Sequence, residues 1–197
     1  MQNAPQRSEA WHQERKGRLT GSLFGAALGL NPYMSRQQLW RVLTGREAAF
    51  AGNEATDWGT THEPIAIDAY ECETGNIVMP APFVPYEDWS GASPDGYIGT
   101  DGLIEVKCPF SQNIYAEWPI YYRAQVIGQL AITKRTWCDC WCWTPNGQKV
   151  LQRVYHDDDT WWHMEDALKE FYQHVLDDRE PKRQKKFKFN EPTRKAA

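Results

Sequence analysis

The sequence of 197 residues lacks three features that would each place it in a large class of proteins. It has no run of apolar residues near the roughly 18 that a membrane-spanning helix needs, which excludes a membrane span. Its first 16 residues are polar and lack the apolar segment of an export signal. There is no low-complexity tract and no internal repeat. We therefore expect a globular, cytoplasmic α/β protein.

Cysteine is not organised for cross-linking or for an obvious metal site. Five cysteines in a chain without an export signal are expected to be reduced thiols. Cys138, Cys140 and Cys142 alternate along a predicted strand and so share one face, where we expect small buried apolar residues. An iron–sulfur cluster stays open as an alternative, although thiols that point one way splay poorly around a cluster. The five histidines show no metal-ligand spacing.

Charge divides the chain into two parts. The formal net charge of −4 combines a body of −10 over residues 1–181 with a tail of +6 over residues 182–197. We predict one domain over 1–181 and a basic C-terminal tail over 182–197. Such a tail can contact phosphates, bind a partner protein or be simply solvated, and the sequence does not separate these three roles.

Turn residues and apolar periodicity predict helices, a mixed sheet and a final helix, which is a single-domain α/β architecture. Predicted helices cover two segments within 8–30 and then 35–45, 60–72, 114–133 and 157–178. Predicted strands cover 77–84, 92–98, 103–108, 137–144 and 149–155, with the first at a sheet edge because prolines interrupt it. The ten tryptophans, including Trp161 and Trp162, are expected mainly in the core.

One predicted hairpin carries a chemically suggestive set of side chains. Glu105 and Lys107 are two apart on a strand and therefore point to the same face. The partner strand brings Asp95 near Glu105, so two carboxylates and a lysine converge. Adjacent carboxylates repel unless a cation lies between them, and carboxylate and carbonyl oxygens are the ligands that Mg²⁺ or Mn²⁺ prefers. The short pattern alone also fits an exposed hairpin with an ordinary Glu–Lys ion pair.

At these residues the sequence resembles the PD-(D/E)XK nuclease signature, written here as Pro94-Asp95 followed by Glu105-Val106-Lys107. The surrounding segments resemble the lambda exonuclease/YqaJ branch of phage recombination exonucleases. Its further blocks match residues 11–22 (WHQERKGRLTGS), 58–64 (WGTTHEP), 91–96 (GASPDG) and 122–130 (YRAQVIGQL). The resemblance implies a restriction-endonuclease-like core, with a mixed central sheet flanked by helices.

The resemblance also implies roles for the residues of the metal site. Asp95 and Glu105, with the carbonyl of Val106, would hold one Mg²⁺, and Glu63 would help to hold a second. Lys107 would position or activate a water molecule, and Gln125 would face the same site and help to orient it. From the residues alone, Glu63 is better explained as a carboxylate in the first turn of a helix, and Gln125 with Gln129 as a solvent-facing pair.

A second set of positions matches the pocket that the family uses for a 5′-terminal phosphate. These positions are Arg15, Thr20, Ser22 and Ser93, which supply one guanidinium and three hydroxyl groups. Without the resemblance, Thr20 and Ser22 are plain helix caps and Arg15 is a surface charge. Arg18 is close enough in sequence to compete with Arg15 for the role.

Taken together, the resemblance implies a Mg²⁺-dependent 5′→3′ exonuclease that degrades one strand of linear double-stranded DNA. It further implies two metal ions per site, a ring-shaped homotrimer, a single-strand annealing protein as partner, and a phage or prophage origin. Two alternatives remain at this point. One is an endonuclease with the same metal centre, and the other is a non-catalytic scaffold that binds DNA ends.

Overall fold

The computed structural model describes residues 5–183 and 185–189, so Glu191, Arg194 and Lys195 of the predicted basic tail lie outside the described residues. The helices are α1 (Glu9–Arg15), α2 (Gly21–Ala27), α3 (Arg36–Leu43), α4 (Glu54–Thr74), α5 (Ile120–Thr133) and α6 (Asp158–Leu176). The strands are β1 (Leu19–Thr20), β2 (Val78–Met79), β3 (Val84–Tyr86), β4 (Ser90–Ala92), β5 (Gly96–Ile98), β6 (Gly102–Lys107), β7 (Trp137–Trp143) and β8 (Lys149–Tyr155).

The strands form two sheets where one was predicted. The larger sheet has the order β2-β5-β6-β7-β8 and is mixed, because β6 and β7 are parallel while its other pairs are antiparallel. Helix α5 makes the crossover between β6 and β7, as expected. The smaller sheet has the order β1-β4-β3, and β1 is a two-residue strand that the sequence did not indicate. The mixed α/β prediction is confirmed.

The predicted strand 92–98 is wrong as a single element. It divides into β4 in the smaller sheet and β5 in the larger one. Pro94 lies at the break and has no N–H to donate to a ladder, which favours a change of direction there. Asp95 therefore lies in the connection between the sheets, directly before β5, and not on the hairpin strand itself.

Two helices begin at residues other than those predicted. Helix α4 starts at Glu54, because the Asn53 side chain accepts hydrogen bonds from the backbone N–H groups of Ala55 and Thr56 in a capping box. Glu63 consequently lies in mid-helix beside an internal Pro64, which corrects its expected place in the first turn. Helix α5 starts at Ile120 instead of 114, since Pro119 disfavours helical conformation in the residue before it.

The packing of α2 against α5 places both helices at the site. A Cβ atom on Gly25 would lie 2.8 Å from the Tyr121 Cβ and from its carbonyl oxygen, so the helices approach closely only because this residue is glycine. Cys138 and Cys140 are buried in a cluster with Val126 and Leu130, as predicted for small apolar residues. Within the described ranges, no helix has both the length and the apolar composition that crossing a bilayer requires.

The tryptophans follow the prediction with one exception. Trp141 and Trp161 are buried in two different core clusters. Trp137 and Trp143 are partly buried and pack against the cluster that contains Trp141. Trp162, however, is 60% exposed, which corrects its assignment to the core. It follows Trp161 on α6, and the helical turn between the two residues points its side chain away from the cluster that buries Trp161.

Candidate active site

Four of the five predicted catalytic residues line one cavity of about 330 Å³, and Glu63 is not among its lining residues. The hairpin β5–β6, the connection that precedes it, and the helices α1, α2 and α5 all contribute to its walls. The lining residues are Gln6, Arg7, Trp11, Arg15, Gly21, Ser22, Ser93, Asp95, Glu105, Lys107, Tyr122, Gln125 and Gln129. A second cavity, of about 590 Å³, adjoins it at Gln6 and Asp95 and is lined mainly by proline and aliphatic side chains.

Glu105 is the most buried charged group of the cavity and is held by three donors. Its side chain is 1% exposed. The Lys107 ammonium and the Gln125 amide donate to Oε1, the latter at 2.7 Å, and the Gln129 amide donates to Oε2 at 2.8 Å. Helix α5 thus fixes the carboxylate from one side and Lys107 from the other. The predicted convergence of Glu105 and Lys107 on one face of β6 is confirmed.

Asp95 reaches the same place from the connection between the sheets. Its Oδ2 atom accepts a hydrogen bond of 2.7 Å from the backbone N–H of Val106. Burial, and then the nearby charge of Glu105, raise the pKa of Asp95 well above its usual value. The negative charge of Glu105 thus disfavours ionisation of Asp95, and a cation bound nearby would compensate for it.

Lys107 supplies part of that compensation. Burial by itself would lower the pKa of Lys107, but the carboxylates of Glu105 and Asp95 outweigh burial and raise the pKa above its usual value. The ammonium also lies 4.8 Å from the centre of the Tyr122 ring, within the range of a cation–π contact. Lys107 is therefore a positively charged group held between the Glu105 carboxylate and the face of the Tyr122 ring.

Glu63 lies near these groups but is bound to a different partner. Its Oε2 atom is 2.7 Å from a guanidinium nitrogen of Arg7, and its side chain is 20% exposed. The negative charge of Glu63 still contributes to the raised pKa of Asp95, so the two carboxylates face one region. Within the described chain, no three His, Cys, Asp or Glu side chains already converge as a set of metal ligands.

The residues present nevertheless fit a divalent metal ion. Two carboxylates, Asp95 and Glu105, meet in a largely buried place with more negative charge than Lys107 neutralises. Val106 directly follows Glu105, and its carbonyl oxygen is 3.3 Å from the Lys107 ammonium, which also donates to Glu105. Such an all-oxygen donor set is the one that Mg²⁺ and Mn²⁺ favour.

Arg15 occupies the other end of the cavity with no acidic partner. Its guanidinium donates to Ser93 Oγ at 2.7 Å and to Thr20 Oγ1 at 3.2 Å, and it lies 4.0 Å over the Trp11 ring. No carboxylate in the described part of the chain forms an ion pair with it. Burial lowers the pKa of Arg15 to about 10, which expresses the cost of an uncompensated charge. An anion bound there would remove that cost.

The remaining residues of the predicted phosphate pocket assemble around Arg15. Ser22 is exposed at the first turn of α2, with its hydroxyl 3.4 Å from that of Thr20. Thr20 precedes α2 but makes no side-chain cap bond, so its hydroxyl is committed to Arg15. Arg18 points elsewhere, donating to the backbone carbonyl oxygens of Glu87 and Ser90. The structure therefore places Arg15, and not Arg18, with the hydroxyl groups of the predicted phosphate pocket.

Sequence reasoning assigned no role to six residues that line the cavity, among them Gln129, Tyr122 and Arg7. Gln129 was noted only as a neighbour of Gln125, although its one-turn spacing on the same helix was the signal that both amides reach Glu105. Its Oε1 atom is buried without a hydrogen-bond partner in the described residues, which leaves an acceptor free in the cavity. Tyr122 had no signal beyond the block that contains it. Arg7 had none, because its contact depends on the conformation of the segment before α1.

The chain matches one family model and several curated viral proteins. Residues 10–136 match the model of the YqaJ-like viral recombinase domain. Protein D345L of African swine fever virus (strain Badajoz 1971 Vero-adapted) is 31% identical over 163 residues, covering 65% of this chain and 46% of the viral protein. The chain thus spans about half the length of the curated relatives it matches.

Solved structures support the fold. The alkaline exonuclease LHK-Exo from Laribacter hongkongensis is 28% identical with a TM-score of 0.75, covering 87% of this chain and 94% of that one. Its complex with dAMP gives a TM-score of 0.77 with the same identity and coverage. A phage-related exonuclease from Haemophilus somnus is 11% identical with a TM-score of 0.62, covering 82% of this chain and 96% of its own, which supports the fold alone. The PD-(D/E)XK fold predicted from the signature is confirmed.

Proposed function

Because the chain belongs to the YqaJ-like viral recombinase family, we propose that it is a metal-dependent 5′→3′ exonuclease that degrades one strand of linear double-stranded DNA. The observation that carries the proposal is the shared cavity. A carboxylate–lysine centre at one end and an unpaired guanidinium with hydroxyl groups at the other face the same space. One end suits hydrolysis of a phosphodiester, and the other suits a terminal phosphate.

In the carboxylate–lysine centre, Asp95, Glu105 and the Val106 carbonyl would hold Mg²⁺, with Mn²⁺ as a substitute. Glu63 would contribute to a second ion once its contact with Arg7 is broken. Bound there, the ions would lower the pKa of water and stabilise charge on the scissile phosphate and the departing 3′ oxygen. Gln125 and Gln129 keep Glu105 in one orientation, which preserves the geometry of the ligands.

Lys107 acts as the cationic group next to the reacting phosphate. Because its ammonium is fixed between Glu105 and the Tyr122 ring, it can donate a hydrogen bond to the attacking water or to a phosphate oxygen without reorganising. This assigns it a role in orientation and charge stabilisation.

The polarity of the reaction rests on Arg15. A guanidinium that already donates to two hydroxyl groups and has no carboxylate partner is preorganised for two hydrogen bonds to a terminal phosphate. With the 5′-phosphate held by Arg15, Ser22 and Ser93, the first phosphodiester bond would lie toward Asp95 and Glu105. Mononucleotides with a 5′-phosphate would be released and a 3′ single strand would remain.

The biological setting is part of the proposal. Its support is the family and the viral relatives. In a host cytoplasm, the 3′ strand would be taken up by a single-strand annealing protein for recombination. A ring-shaped homotrimer that encloses the duplex is the assembly that the family resemblance implies, and it would keep an acidic body on DNA.

The test is digestion of linear duplex DNA labelled at one 5′ end, with Mg²⁺ or with EDTA, beside a covalently closed circle of the same sequence. We expect metal-dependent release of labelled mononucleotide from linear DNA and an intact circle. Asp95→Ala and Lys107→Ala should abolish release, whereas Asp88→Ala, at an exposed residue outside the cavity, should not. Cutting of the circle would establish an endonuclease, and DNA binding without any cleavage would establish a scaffold.

A further inference from the structure

The basic tail is anchored to the domain by an alternation of lysine and phenylalanine. Phe187 and Phe189 are half-buried and pack against the main core cluster, while Lys186 and Lys188, each directly before one of them, are exposed. The backbone N–H of Phe187 donates to the Leu28 carbonyl oxygen at 3.1 Å. Exposure alternates along residues 186–189, so the two rings face the domain while the two lysines face solvent.

The anchored segment presents only cations to solvent. Lys182, Arg183, Lys185, Lys186 and Lys188 are all exposed, and residues 182–189 contain no acidic residue. In the part of the chain that the structure describes, none of these five side chains forms an ion pair. A protein whose residues 1–181 carry −10 thus holds a line of uncompensated positive charge at one fixed place.

This line lies beside the helices that build the active site. Arg123 stacks over the Phe189 ring at 5.2 Å, and the next residue toward the N-terminus, Tyr122, lines the active-site cavity. Leu28 ends α2, whose first turn carries Ser22 into the same cavity. With a rise of about 1.5 Å per residue, the seven residues of α2 separate the two places by roughly 10 Å.

We propose that residues 182–183 and 185–189 form a contact for the sugar–phosphate backbone of the DNA duplex outside the active site. The inference rests on the proposed function for the identity of the nucleic acid. Duplex DNA carries a charge about every 1.7 Å along its axis, so a duplex whose end occupies the cavity still has phosphates at this distance. The contact would hold DNA without reading its sequence.

The chemistry of the surface favours phosphate over a partner protein. Cores of protein–protein interfaces are enriched in aromatic residues and depleted in lysine. Here the two aromatic residues are turned into the domain, so the exposed side offers lysine and arginine with no apolar anchor. Several lysine and arginine side chains, held in place by the anchored segment, suit the regularly spaced phosphates of a nucleic-acid backbone.

The test measures binding without cleavage. A fluorescent 5′-phosphorylated duplex is titrated in EDTA by anisotropy over a series of salt concentrations, and the slope of log K against log salt is determined. Replacing Lys185, Lys186 and Lys188 with Gln should flatten the slope by about 2 to 3 and weaken binding roughly 10- to 100-fold at 0.1 M salt. Replacing the same three lysines with Arg should preserve both quantities.

Two further proteins separate local contact from general charge. Gln at Lys134, Lys149 and Lys169 makes the same change in net charge elsewhere and should leave the slope nearly unchanged. Phe187→Ser with Phe189→Ser keeps every cation but removes the anchor, and should weaken binding while thermal unfolding shows the domain intact. An unchanged slope in the Gln variant of the tail would overturn the proposal.

Failure of the two proposals can be told apart. If the wild type releases mononucleotides with Mg²⁺ but the tail variant keeps its slope, the exonuclease stands and the phosphate contact is wrong. If the wild type cleaves nothing but the tail variant loses affinity, the contact stands on a protein that is not an exonuclease.

Discussion

Arg7 places its guanidinium 2.7 Å from the carboxylate of Glu63, the side chain expected to help hold the second metal ion. The contact comes from the segment before α1, where Arg7 adopts a left-handed backbone conformation with φ of 66°. The neighbouring Gln6 amide donates to the carbonyl oxygens of Pro94 and Ala81, which fixes the segment over the cavity. The positive charge next to Glu63 is thus the guanidinium of Arg7, a residue of the same chain.

We expect Arg7→Ala to make the site bind metal more tightly. Removing the competing guanidinium should lower the Mg²⁺ concentration for half-maximal activity about two- to fivefold, the equivalent of the ~0.5–1 kcal/mol of a partly exposed ion pair. A metal titration of cleavage, with calorimetric binding of Mn²⁺ as a second readout, checks this. Arg179→Ala, at an exposed arginine paired with Asp177, serves as the control. A weaker metal affinity in Arg7→Ala would show that Arg7 supports the site instead.

Gln129 should matter for stability as well as for cleavage. It is 1% exposed and its amide is the donor to Glu105 Oε2, so Gln129→Met leaves a buried carboxylate oxygen without that bond. Hydrogen bonds to charged groups contribute about 1.5–3 kcal/mol, and we expect a loss of that size in the free energy of unfolding in EDTA. Urea denaturation measures it.

The loss should depend on the charge of Glu105. In a Glu105→Gln background the acceptor is neutral, so the same Gln129→Met change should cost less, and the difference is the coupling between the two side chains. Gln173→Met, at an exposed glutamine of α6, should be nearly neutral. Equal costs of Gln129→Met in both backgrounds would mean that its effect is packing and not the bond to Glu105.

Asp95 should make the metal-free protein less stable as pH rises. Burial, and then Glu105, raise the pKa of Asp95 in the folded state above its unfolded value of about 3.9. Between those two values the folded state binds more protons than the unfolded state, so the free energy of unfolding falls with increasing pH across that range. Asp95→Asn should therefore be more stable than the wild type at pH 7 in EDTA.

The expected gain is about 1 kcal/mol, or roughly 2–4 °C in Tm for a chain of this length. Thermal unfolding from pH 4 to pH 8 in EDTA measures it, and the gain should shrink toward pH 4. Asp88→Asn, at an exposed aspartate, should follow the wild-type curve. Parallel curves for Asp95→Asn and the wild type would disprove the assignment of the pH dependence to this carboxylate.

The sequence predicted best those parts of the fold where local chemistry and tertiary structure agree. The Ser35 cap of α3, the turn between β7 and β8, and the Asp157 cap of α6 appear close to where turn and capping residues placed them. The pairing of Glu105 with Lys107 followed from strand periodicity alone. By contrast, the helix predicted over 60–72 begins at Glu54 in the structure, because the side chain of Asn53 caps it there.

Contacts between distant segments could not be predicted in the same way. The division of the predicted strand around Pro94 is decided by which sheet each half joins, and the two-residue β1 exists only because it lies beside β4. Arg7 at Glu63 and Phe189 under Arg123 join residues more than 50 positions apart. No local periodicity encodes such contacts, although the motif residues that flank them were identified.

The last prediction concerns the choice between a phosphate and a hydroxyl at the 5′ end. Arg15 is the single guanidinium held by Ser93 and Thr20 at the cavity, and a bound dianion would receive charge-assisted hydrogen bonds of about 1.5–3 kcal/mol from it. Arg15→Ala should therefore lower kcat/KM on a 5′-phosphorylated duplex roughly 10- to 100-fold and leave a 5′-hydroxyl duplex nearly unaffected. Arg18→Ala, which loses bonds to the Glu87 and Ser90 carbonyl oxygens, should preserve the preference. If Arg15→Ala slows both substrates equally, Arg15 supports the fold of the cavity and does not recognise the terminal phosphate.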